Sequence, residues 1–357
     1  MASLVDTEQS RCDADRLQGF IRDLFTGAGV PGANAARLAE IIVCADLRGA
    51  YSHGCALVPG YIMRMLKGEV DPKGEPKVER DAGAVLLIDA ANGQGHLAVA
   101  FAMESAVERA REMGAAVAAI GRSNHCGAMG YYPVLALAHD MIGIAMTNSV
   151  PSMAWFGGID RILGINPIGI AIPAGEETPI VIDTSFGAVA RGKIAIHAQL
   201  GRPLPEGWAT DADGNATIDP GRALEGLILP AGGYKGTSIA LVVGILSALL
   251  SGAAYGTELG DLTKGATAGA DGQFVLVLNV AAFEDVRRFK ARIDGIVRQI
   301  HASQPAPGVS RILVPGERAA ESERLYRSEG IPLTAATRQA LADIAARVGV
   351  DPTVVRP

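Results

Sequence analysis

The sequence predicts an α/β protein in which a mixed-sheet segment, about residues 121–290, lies between helical segments from both termini. Apolar residues recur at helical spacing near both ends of the chain, whereas short apolar runs separated by turn residues dominate the middle. A chain of 357 residues with 49% hydrophobic side chains is long enough for two domains. We expect one discontinuous domain of helical or α+β character, 1–120 together with 291–357, and one mixed-sheet domain at 121–290.

Each predicted element follows from a local pattern. Apolar residues at helical spacing on both sides of a break at 27–32 predict a helical hairpin over 13–46. Also predicted in the first half are a helix at 57–67, a buried strand at 85–89, a helix at 96–113 and a strand at 115–120. The second half predicts strands at 142–147, 168–173, 180–183 and 274–279, helices at 235–253 and 283–302, and a tail helix after 333. The segment 201–226 is rich in glycine, proline and aspartate and is predicted to be a surface loop.

Composition and charge exclude several classes of protein. The formal net charge of -6 and the isoelectric point near 5.6 leave no basic stripe for a nucleic-acid backbone. The most apolar stretch, 238–254, is interrupted by glycine and serine and is shorter than the roughly 20 residues of a membrane span. A buried helix is therefore expected there. The polar segment 1–16 is unlike a secretory leader and the four cysteines are scattered, so a cytoplasmic protein with free thiols is expected.

Two glycine-rich segments resemble nucleotide-binding motifs. The segment 93–98 matches a dinucleotide-binding turn, but Arg122 stands where an acidic ribose ligand is expected, so we interpret it as a turn and helix start. In the segment 187–194, an isoleucine replaces the hydroxyl that would hold magnesium in a phosphate-binding loop. No metal site is predicted, because adjacent residues such as His125 and Cys126 rarely bind one ion.

Two histidines, His53 and His125, lie in short polar breaks between apolar segments. An imidazole in such a loop stays partly hydrated and can change charge near neutral pH, which proton transfer requires. A loop histidine can also cap a neighbouring element, and for either histidine alone that interpretation is favoured. The chemical interpretation therefore depends on the other motifs of the chain.

Seven short motifs occur in order along the sequence. They are Ser-His-Gly at 52–54, Ser-Asn-His-Cys-Gly at 123–127, Thr-Asn-Ser at 147–149, Asn-Pro-Ile at 166–168, Asp-Thr-Ser at 183–185, Gly-Gly-Tyr-Lys-Gly at 232–236 and Val-Pro-Gly-Glu-Arg at 314–318. With these motifs the chain resembles the type-2 malate/L-lactate dehydrogenase family, which includes L-sulfolactate, ureidoglycolate and diketogulonate oxidoreductases and piperideine-2-carboxylate reductases. The resemblance extends over about residues 13–350, and the seven ordered motifs make it more specific than either glycine pattern.

The resemblance implies a fold unrelated to Rossmann's in which the domain at 121–290 binds NAD or NADP. It also implies a homodimer formed through the discontinuous domain, and reduction of a 2-oxo acid or cyclic imine. His53 would donate the proton, with Asp183 orienting it and Ser52 beside it. Elementary chemistry agrees, because hydride arrival leaves charge on oxygen or nitrogen that an imidazolium can neutralise. Without the family, Asp183 is equally well explained as a strand-end cap.

The resemblance further implies which residues line the dinucleotide. They are His125, Ser149, Asp183, Thr184, Ser185, Lys235, Gly236, Gly316, Glu317 and Arg318. Hydroxyl and backbone N–H groups suit phosphate oxygens, and a lysine at the positive end of a helix suits a bound anion, although a solvated helix start is the alternative for Lys235. The choice between NAD and NADP depends on loop residues near the adenosine ribose, for which Arg122, Arg161 and Arg318 are candidates. NADPH is slightly favoured.

The chain departs from the family pattern at two positions. Leu57 stands where the family has an arginine that binds the substrate carboxylate, and Ile165 stands where it has a threonine that assists. Because an unpaired buried carboxylate is costly, we expect an atypical, less acidic or bulkier substrate from a specialised biosynthetic pathway. The predicted substrate pocket comprises Arg48, Leu57, Ile165 and Asn148.

Two alternatives remain open at this stage. The protein could be a conventional malate/lactate-type dehydrogenase or a cyclic imino acid reductase whose substrate carboxylate is held by Arg48, with Arg64 and Lys193 as further cations that could reach it. It could instead be a non-catalytic paralogue that binds dinucleotide and acts through partners. The joint presence of the proton-transfer and cofactor residues argues against that second alternative.

Overall fold

The structure, a computed structural model, describes residues 11–262 and 265–355, so most of the segment 1–16 lies outside the described residues. The described part is an α/β protein with a seven-stranded mixed sheet, which confirms the predicted class. Its helices are α1 (Ala14–Gly27), α2 (Gly32–Leu47), α3 (Val58–Leu66), α4 (Gly95–Met113), α5 (Tyr131–Val134), α6 (Arg191–Gln199), α7 (Pro220–Glu225), α8 (Tyr234–Ala248), α9 (Val286–His301), α10 (Glu317–Glu329) and α11 (Ala335–Val348). Its strands are β1 (Arg11–Cys12), β2 (Lys77–Ala82), β3 (Val85–Asp89), β4 (Ala115–Ser123), β5 (Met141–Thr147), β6 (Ile168–Ile172), β7 (Ile180–Thr184), β8 (Ala209–Thr210), β9 (Ala216–Thr217), β10 (Gly260–Asp261), β11 (Gly265–Ala266), β12 (Asp271–Asn279) and β13 (Ile331–Pro332).

The central sheet has the strand order β2-β3-β4-β12-β5-β6-β7. Within this described sheet, β3 and β4 are the one parallel pair of neighbours, and α4 connects them; the other neighbours are antiparallel. Because β4 and β5 both pair antiparallel with β12, they run in the same direction. β7 runs the same way, since β6 separates it from β5. The carboxyl ends of β3, β4, β5 and β7 therefore meet at one end of the sheet, which we call the site end.

Helices from both ends of the chain share one hydrophobic core. α1, α2 and α3 pack with α11, and Leu38 and Leu341 are fully buried in this core. β1 pairs with β13, which joins the two ends of the described chain directly. The shared core supports the proposed discontinuous domain, whereas the proposed boundary at 120–121 falls inside β4. The division into two domains stays a proposal.

The structure contains elements that the sequence patterns did not predict. β2 is exposed along its whole length, so it lacks the apolar alternation of a half-buried strand. α10 buries no residue, and α6 buries only Ile194 and His197, so neither has a clear apolar stripe. The prediction of a continuous loop at 201–226 was wrong, because β8, β9 and α7 form there.

α8 is the most apolar helix and is only partly covered. The window Tyr234–Ser251 has a mean hydropathy of 1.5 and 39% of it is buried within the chain; by length and composition alone it could cross a bilayer. One face of α8 packs on β12, β5 and β4 of the central sheet, and Ala240 is fully buried in an apolar cluster with residues of α6 and α7. On the opposite face, Ile239, Val242 and Leu249 are 49%, 52% and 55% exposed. The expectation of a buried helix therefore holds for one face.

The glycines of the segment 93–98 allow two backbones to come close together. A Cβ at Gly95 would overlap the carbonyl oxygen of Asn124, and a Cβ at Gly93 would overlap the backbone of Gly74. Because only glycine can be accommodated at such contacts, the pattern packs the start of α4 against the loop that carries His125. These contacts favour the interpretation of the segment as a turn and helix start.

We expect Gly95→Ala to lower the free energy of unfolding by about 1–3 kcal/mol, because no rotamer change can relieve a clash with backbone. The control is Gly19→Ala in α1, where an added Cβ meets no heavy atom within 4 Å. It should raise the free energy of unfolding by roughly 0.5–1 kcal/mol. Urea unfolding of both variants measures the difference, and equal effects would contradict the packing role of Gly95.

Candidate active site

Predicted site residues from distant parts of the chain meet at the site end of the central sheet. His125 follows β4 and Ser149 follows β5, while Asp183 and Thr184 close β7. Thr184 is exposed and Ser185 is half-buried. Because the three strands run in the same direction, their carboxyl ends bring these polar side chains together. The sheet topology therefore explains why separate motifs form one site.

His53 reaches this site from the loop between α2 and α3. The carboxylate of Asp46, buried in α2, accepts a hydrogen bond from the N–H of Cys55 at 2.8 Å. A Cβ at Gly54 would overlap the same carboxylate, so glycine is required there. Burial raises the pKa of Asp46 to about 6. The sequence analysis missed the contact of Asp46 with the loop of His53. An acidic residue within an apolar helix, just before the Ser-His-Gly motif, could have indicated it.

His53 and His125 lie side by side, with ring centroids 6.0 Å apart and ring planes 19° apart. The Nδ1 atom of His53 is 2.9 Å from Oγ of Ser52. The Nδ1 atom of His125 is 2.7 Å from Oη of Tyr61 and accepts the N–H of Gly127 at 3.2 Å. A neutral His125 ring therefore carries its proton on Nε2. Tyr61 was missed because it lies on the apolar, buried face of α3.

The two imidazoles differ in the charges that surround them. Burial lowers the pKa of His125 to about 3, and the positive charges of His53 and Arg64 act in the same direction. Burial also lowers the pKa of His53, but the carboxylate of Asp183 opposes that shift. The carboxylate of Asp183 accepts a hydrogen bond from the N–H of Gly130 at 2.9 Å. Burial raises the pKa of Asp183, whereas the hydrogen bond from Gly130 and the positive charge of His53 lower it. His53 is therefore the imidazole whose protonated form has a nearby counter-charge.

Backbone pairing brings the predicted phosphate-binding residues next to β7. The segments 186–188 and 229–231 are joined by hydrogen bonds of 2.7 and 2.9 Å, so α8 begins beside the end of β7. Lys235 is exposed in the first turn of α8, and the N-cap residue Gly233 provides no capping side chain. A Cβ at Gly236 would overlap the backbone of 229–231. The N–H groups and the lysine at this helix start suit the phosphates of a dinucleotide.

Two predicted site residues use their polar groups within the chain. The N–H of Ser149 donates to Oδ1 of Asn166 at 3.0 Å, and the N–H of Asn166 donates to Oγ of Ser149 at 3.2 Å. The side chain of Asn148 donates to Ala254 O at 2.8 Å and accepts the N–H of Gly272 at 3.0 Å. Both residues therefore hold the site end together. A role of Asn148 in the substrate pocket stays a prediction.

The segment 314–318 lies along the outer edge of β7, where a backbone hydrogen bond of 3.0 Å joins it to Val181. The carboxylate of Glu317 contacts the ring of His301 at 2.9 Å. Arg318 is exposed. The segment therefore lies close to the strand that carries Asp183, while the carboxylate of Glu317 is engaged within its own part of the chain.

The two predicted pocket residues of apolar type are half-buried. Leu57 packs against the core of α1, α2, α3 and α11, and Ile165 packs against a second cluster that includes residues of α6, α7 and α8. Arg48 is paired with Glu323 of α10 at 3.3 Å, and Glu323 also pairs with Arg327 at 2.8 Å. The guanidinium of Arg48 is thus already engaged by a carboxylate.

Comparison with known proteins agrees with the motifs. The sequence profile of the malate/L-lactate dehydrogenase family matches residues 12–342. The chain is 37% identical over 332 residues to the L-sulfolactate dehydrogenase of Methanocaldococcus jannaschii, a match covering 93% of this chain and 95% of that protein. It is 34% identical over 332 residues to the Delta(1)-pyrroline-2-carboxylate/Delta(1)-piperideine-2-carboxylate reductase of Pseudomonas putida, covering 92% and 95% respectively.

The solved structure of the M. jannaschii sulfolactate dehydrogenase has a TM-score of 0.90 to this chain at 35% sequence identity. The superposition covers 96% of this chain and 98% of that one. The family resemblance predicted from the seven motifs is therefore confirmed. The chain belongs to the malate/L-lactate dehydrogenase family, and it is an NAD(P)-dependent oxidoreductase.

Proposed function

We propose that the protein reduces a carbonyl or imine carbon of a small molecule, with His53 as proton donor and NADPH or NADH as the source of hydride. The observation that carries this proposal is the convergence of His53, His125 and Asp183 at the site end, beside the start of α8. The names of the two relatives, a sulfolactate dehydrogenase and a pyrroline/piperideine carboxylate reductase, support reaction at C=O or C=N.

His53 is the residue best suited to deliver the proton. Reduction leaves negative charge on oxygen, or a basic nitrogen, and a positioned imidazolium neutralises it. Ser52 contacts Nδ1 of His53, so Nε2 remains for the substrate. Asp183 stabilises the protonated ring. His125, with its pKa near 3, stays neutral and serves as a hydrogen-bond donor through Nε2.

We propose that the dinucleotide binds to the mixed sheet rather than to a Rossmann fold. Rossmann folds are built on mostly parallel sheets, whereas the described sheet has a single parallel pair of neighbours. The residues that would hold the dinucleotide are His125, Ser149, Asp183, Thr184, Ser185, Lys235, Gly236, Gly316, Glu317 and Arg318. NADPH is slightly favoured over NADH in this proposal, and the candidates to contact the adenosine ribose are Arg122, Arg161 and Arg318.

The substrate is proposed to carry a neutral or bulky group next to its reacting carbon. Leu57 and Ile165 replace the arginine and threonine that bind a carboxylate in the family pattern, and both are half-buried among apolar residues. A carboxylate placed against them would lose its hydration without gaining a partner. This argument supports an atypical substrate over a small 2-oxo acid.

A conventional 2-oxo acid or cyclic imino acid substrate is the second candidate. Its support is that the charge of Arg48 lowers the pKa of Asp183, so this guanidinium lies within electrostatic reach of the site. To bind a substrate carboxylate, Arg48 would have to leave or share Glu323. We therefore rank this candidate second.

We propose that the protein is a cytoplasmic homodimer whose two copies meet at the exposed face of α8, rather than through the discontinuous domain. The α8 patch consists of Tyr234, Ile239, Val242, Ile245, Leu249 and Leu250, together with Phe156. Phe156 continues the patch because its ring lies 6.2 Å from that of Tyr234. Contiguous apolar surface of this kind is typical of protein interfaces. A second copy would cover the apolar face without a membrane.

His53→Asn is expected to lower the rate of NADPH-dependent reduction ~10²–10⁴-fold, because the proton donor is lost. The donor is active when protonated, and burial holds its pKa below the usual 6.5. kcat/KM for reduction should therefore fall as pH rises through that pKa. Asp183→Asn should move the inflection to lower pH, because it removes the negative charge that raises the pKa of His53. The control is His125→Asn, in which the inflection should persist. If the inflection also persists in His53→Asn, His53 is not the proton donor.

Leu57→Arg is expected to raise kcat/KM for pyruvate and oxaloacetate at least ~10-fold, because a guanidinium can bind a carboxylate through two N–H donors. Leu66→Arg, which adds the same charge at an exposed position of α3, is the control. Oxidation of NADPH and NADH is followed with 2-oxo acids, cyclic imino acids and uncharged ketones. If the unaltered protein reduces pyruvate or oxaloacetate as well as any other compound, the proposed substrate class is wrong.

Val242→Glu is expected to convert the dimer to a monomer, because it places a charge in the centre of the α8 patch. Val309→Glu introduces the same charge at a similarly exposed valine outside the patch and should leave the dimer intact. Light scattering after size-exclusion chromatography measures the mass. A monomeric unaltered protein, or a Val242→Glu protein that remains dimeric, would refute this interface.

A further inference from the structure

Arg191 is a half-buried cation without a compensating partner. Of the lysine and arginine side chains that are half-buried or buried among residues 11–262 and 265–355, it is the one that has neither a hydrogen-bond nor an ion-pair partner. Removing a guanidinium from water is costly unless an anion or an acceptor replaces the lost hydration. The position is therefore unfavourable for a cation unless a ligand supplies the anion.

The surroundings of Arg191 add to this unfavourable balance. Arg161 lies near enough for its charge, together with burial, to lower the pKa of Arg191. The guanidinium of Arg161 is held in place by the carbonyl oxygens of Glu225 and Gly226 at the end of α7. Arg191 is also the first residue of α6, whose helix dipole disfavours positive charge there. Arg161 is thus the charged group that acts on Arg191, and neither arginine forms an ion pair with a carboxylate among residues 11–262 and 265–355.

The location of Arg191 connects it with the proposed active site. It belongs to the segment 187–192, which follows the Asp-Thr-Ser motif of β7. A Cβ at Gly192 would lie 3.5 Å from Cβ of Ser52, and a Cβ at Gly187 would lie 2.7 Å from Cγ2 of Ile165. The segment therefore runs between the loop that carries the proposed proton donor and Ile165, which stands where the family has a threonine.

The other cations considered for this role are engaged or exposed. Arg48 is paired with Glu323. Arg64 binds Glu69 at 3.2 Å and a backbone carbonyl oxygen. Lys193 is exposed. Arg191 is left as the half-buried guanidinium, one residue from the contact with Ser52, that is available to bind an incoming anion.

We propose that Arg191, supported by Arg161, forms an oxyanion-binding subsite next to Ser52. Its ligand is an acidic group of the substrate, a carboxylate or sulfonate, or a phosphate of the dinucleotide. Each presents at least two oxygens to the N–H donors of a guanidinium. The proposal rests on the proposed function, because Ser52 marks the active site only if His53 is the proton donor, and the neutral group of the substrate is still assigned to Leu57.

The test is binding of three anionic probes, NADPH, NADH and oxalate, to the full chain by titration calorimetry. Arg191→Ala is expected to raise Kd for at least one probe ~10-fold or more. Arg191→Lys should give an intermediate loss, because a lysine retains the charge but not the two-pronged geometry. Arg202→Ala, an exposed arginine beyond the other end of α6, removes the same charge as the matched control. Thermal unfolding of each variant verifies that it is folded.

The pattern of losses identifies the ligand. A loss for NADPH alone assigns the subsite to the phosphate on the ribose, a loss for both dinucleotides assigns it to the pyrophosphate, and a loss for oxalate assigns it to the acid group of the substrate. The proposal is overturned if no probe binds the unaltered chain, or if Arg191→Ala changes no Kd more than Arg202→Ala does. Because binding is measured without turnover, failure of the proposed reaction would be seen separately, in the absence of NADPH and NADH oxidation.

Discussion

The site depends on the antiparallel pairing of β12 with both β4 and β5. Because one strand separates these two, they run in the same direction and end at the same edge, and β6 does the same for β5 and β7. Register is strict in a sheet of this kind, since a slip by one residue would turn each side chain to the opposite face. His125, Ser149 and Asp183 thus owe their proximity to the backbone hydrogen bonds that their own strands form with β12 and β6.

Electrostatics then gives two adjacent imidazoles different properties. Burial, with the positive charges of His53 and Arg64, lowers the pKa of His125 to about 3, and Tyr61 contacts its Nδ1 atom, so the ring is neutral near neutral pH. His53 is open to the carboxylate of Asp183. A pair of titratable groups separated in this way allows one to transfer a proton while the other maintains a constant hydrogen bond. The difference comes from the neighbours of each ring, which lie on different elements.

The sequence was informative wherever a pattern is local. Helical periodicity predicted α1, α2 and α4, and the polar breaks around His53 and His125 are visible in the sequence alone. Asp46, Tyr61 and Arg191 were not recognised, because their importance depends on contacts that form only in the folded chain. Asp46 contacts Cys55, Tyr61 contacts His125, and the segment that carries Arg191 approaches Ser52 at Gly192. Elements without an apolar stripe, such as α10, were missed for a different reason. An exposed helix lacks the apolar periodicity from which a helix is predicted.

The core shared by the two ends of the chain has a consequence for biosynthesis. α1 and α2 bury their apolar faces partly against α11, and β1 pairs with β13. While the chain is being made, the part of these faces that α11 covers has no partner until the C-terminal helix has left the ribosome. Contacts of such long sequence separation form slowly and leave apolar surface exposed in the meantime. The N-terminal hairpin therefore reaches its final packing only after the C-terminal helix has been synthesised.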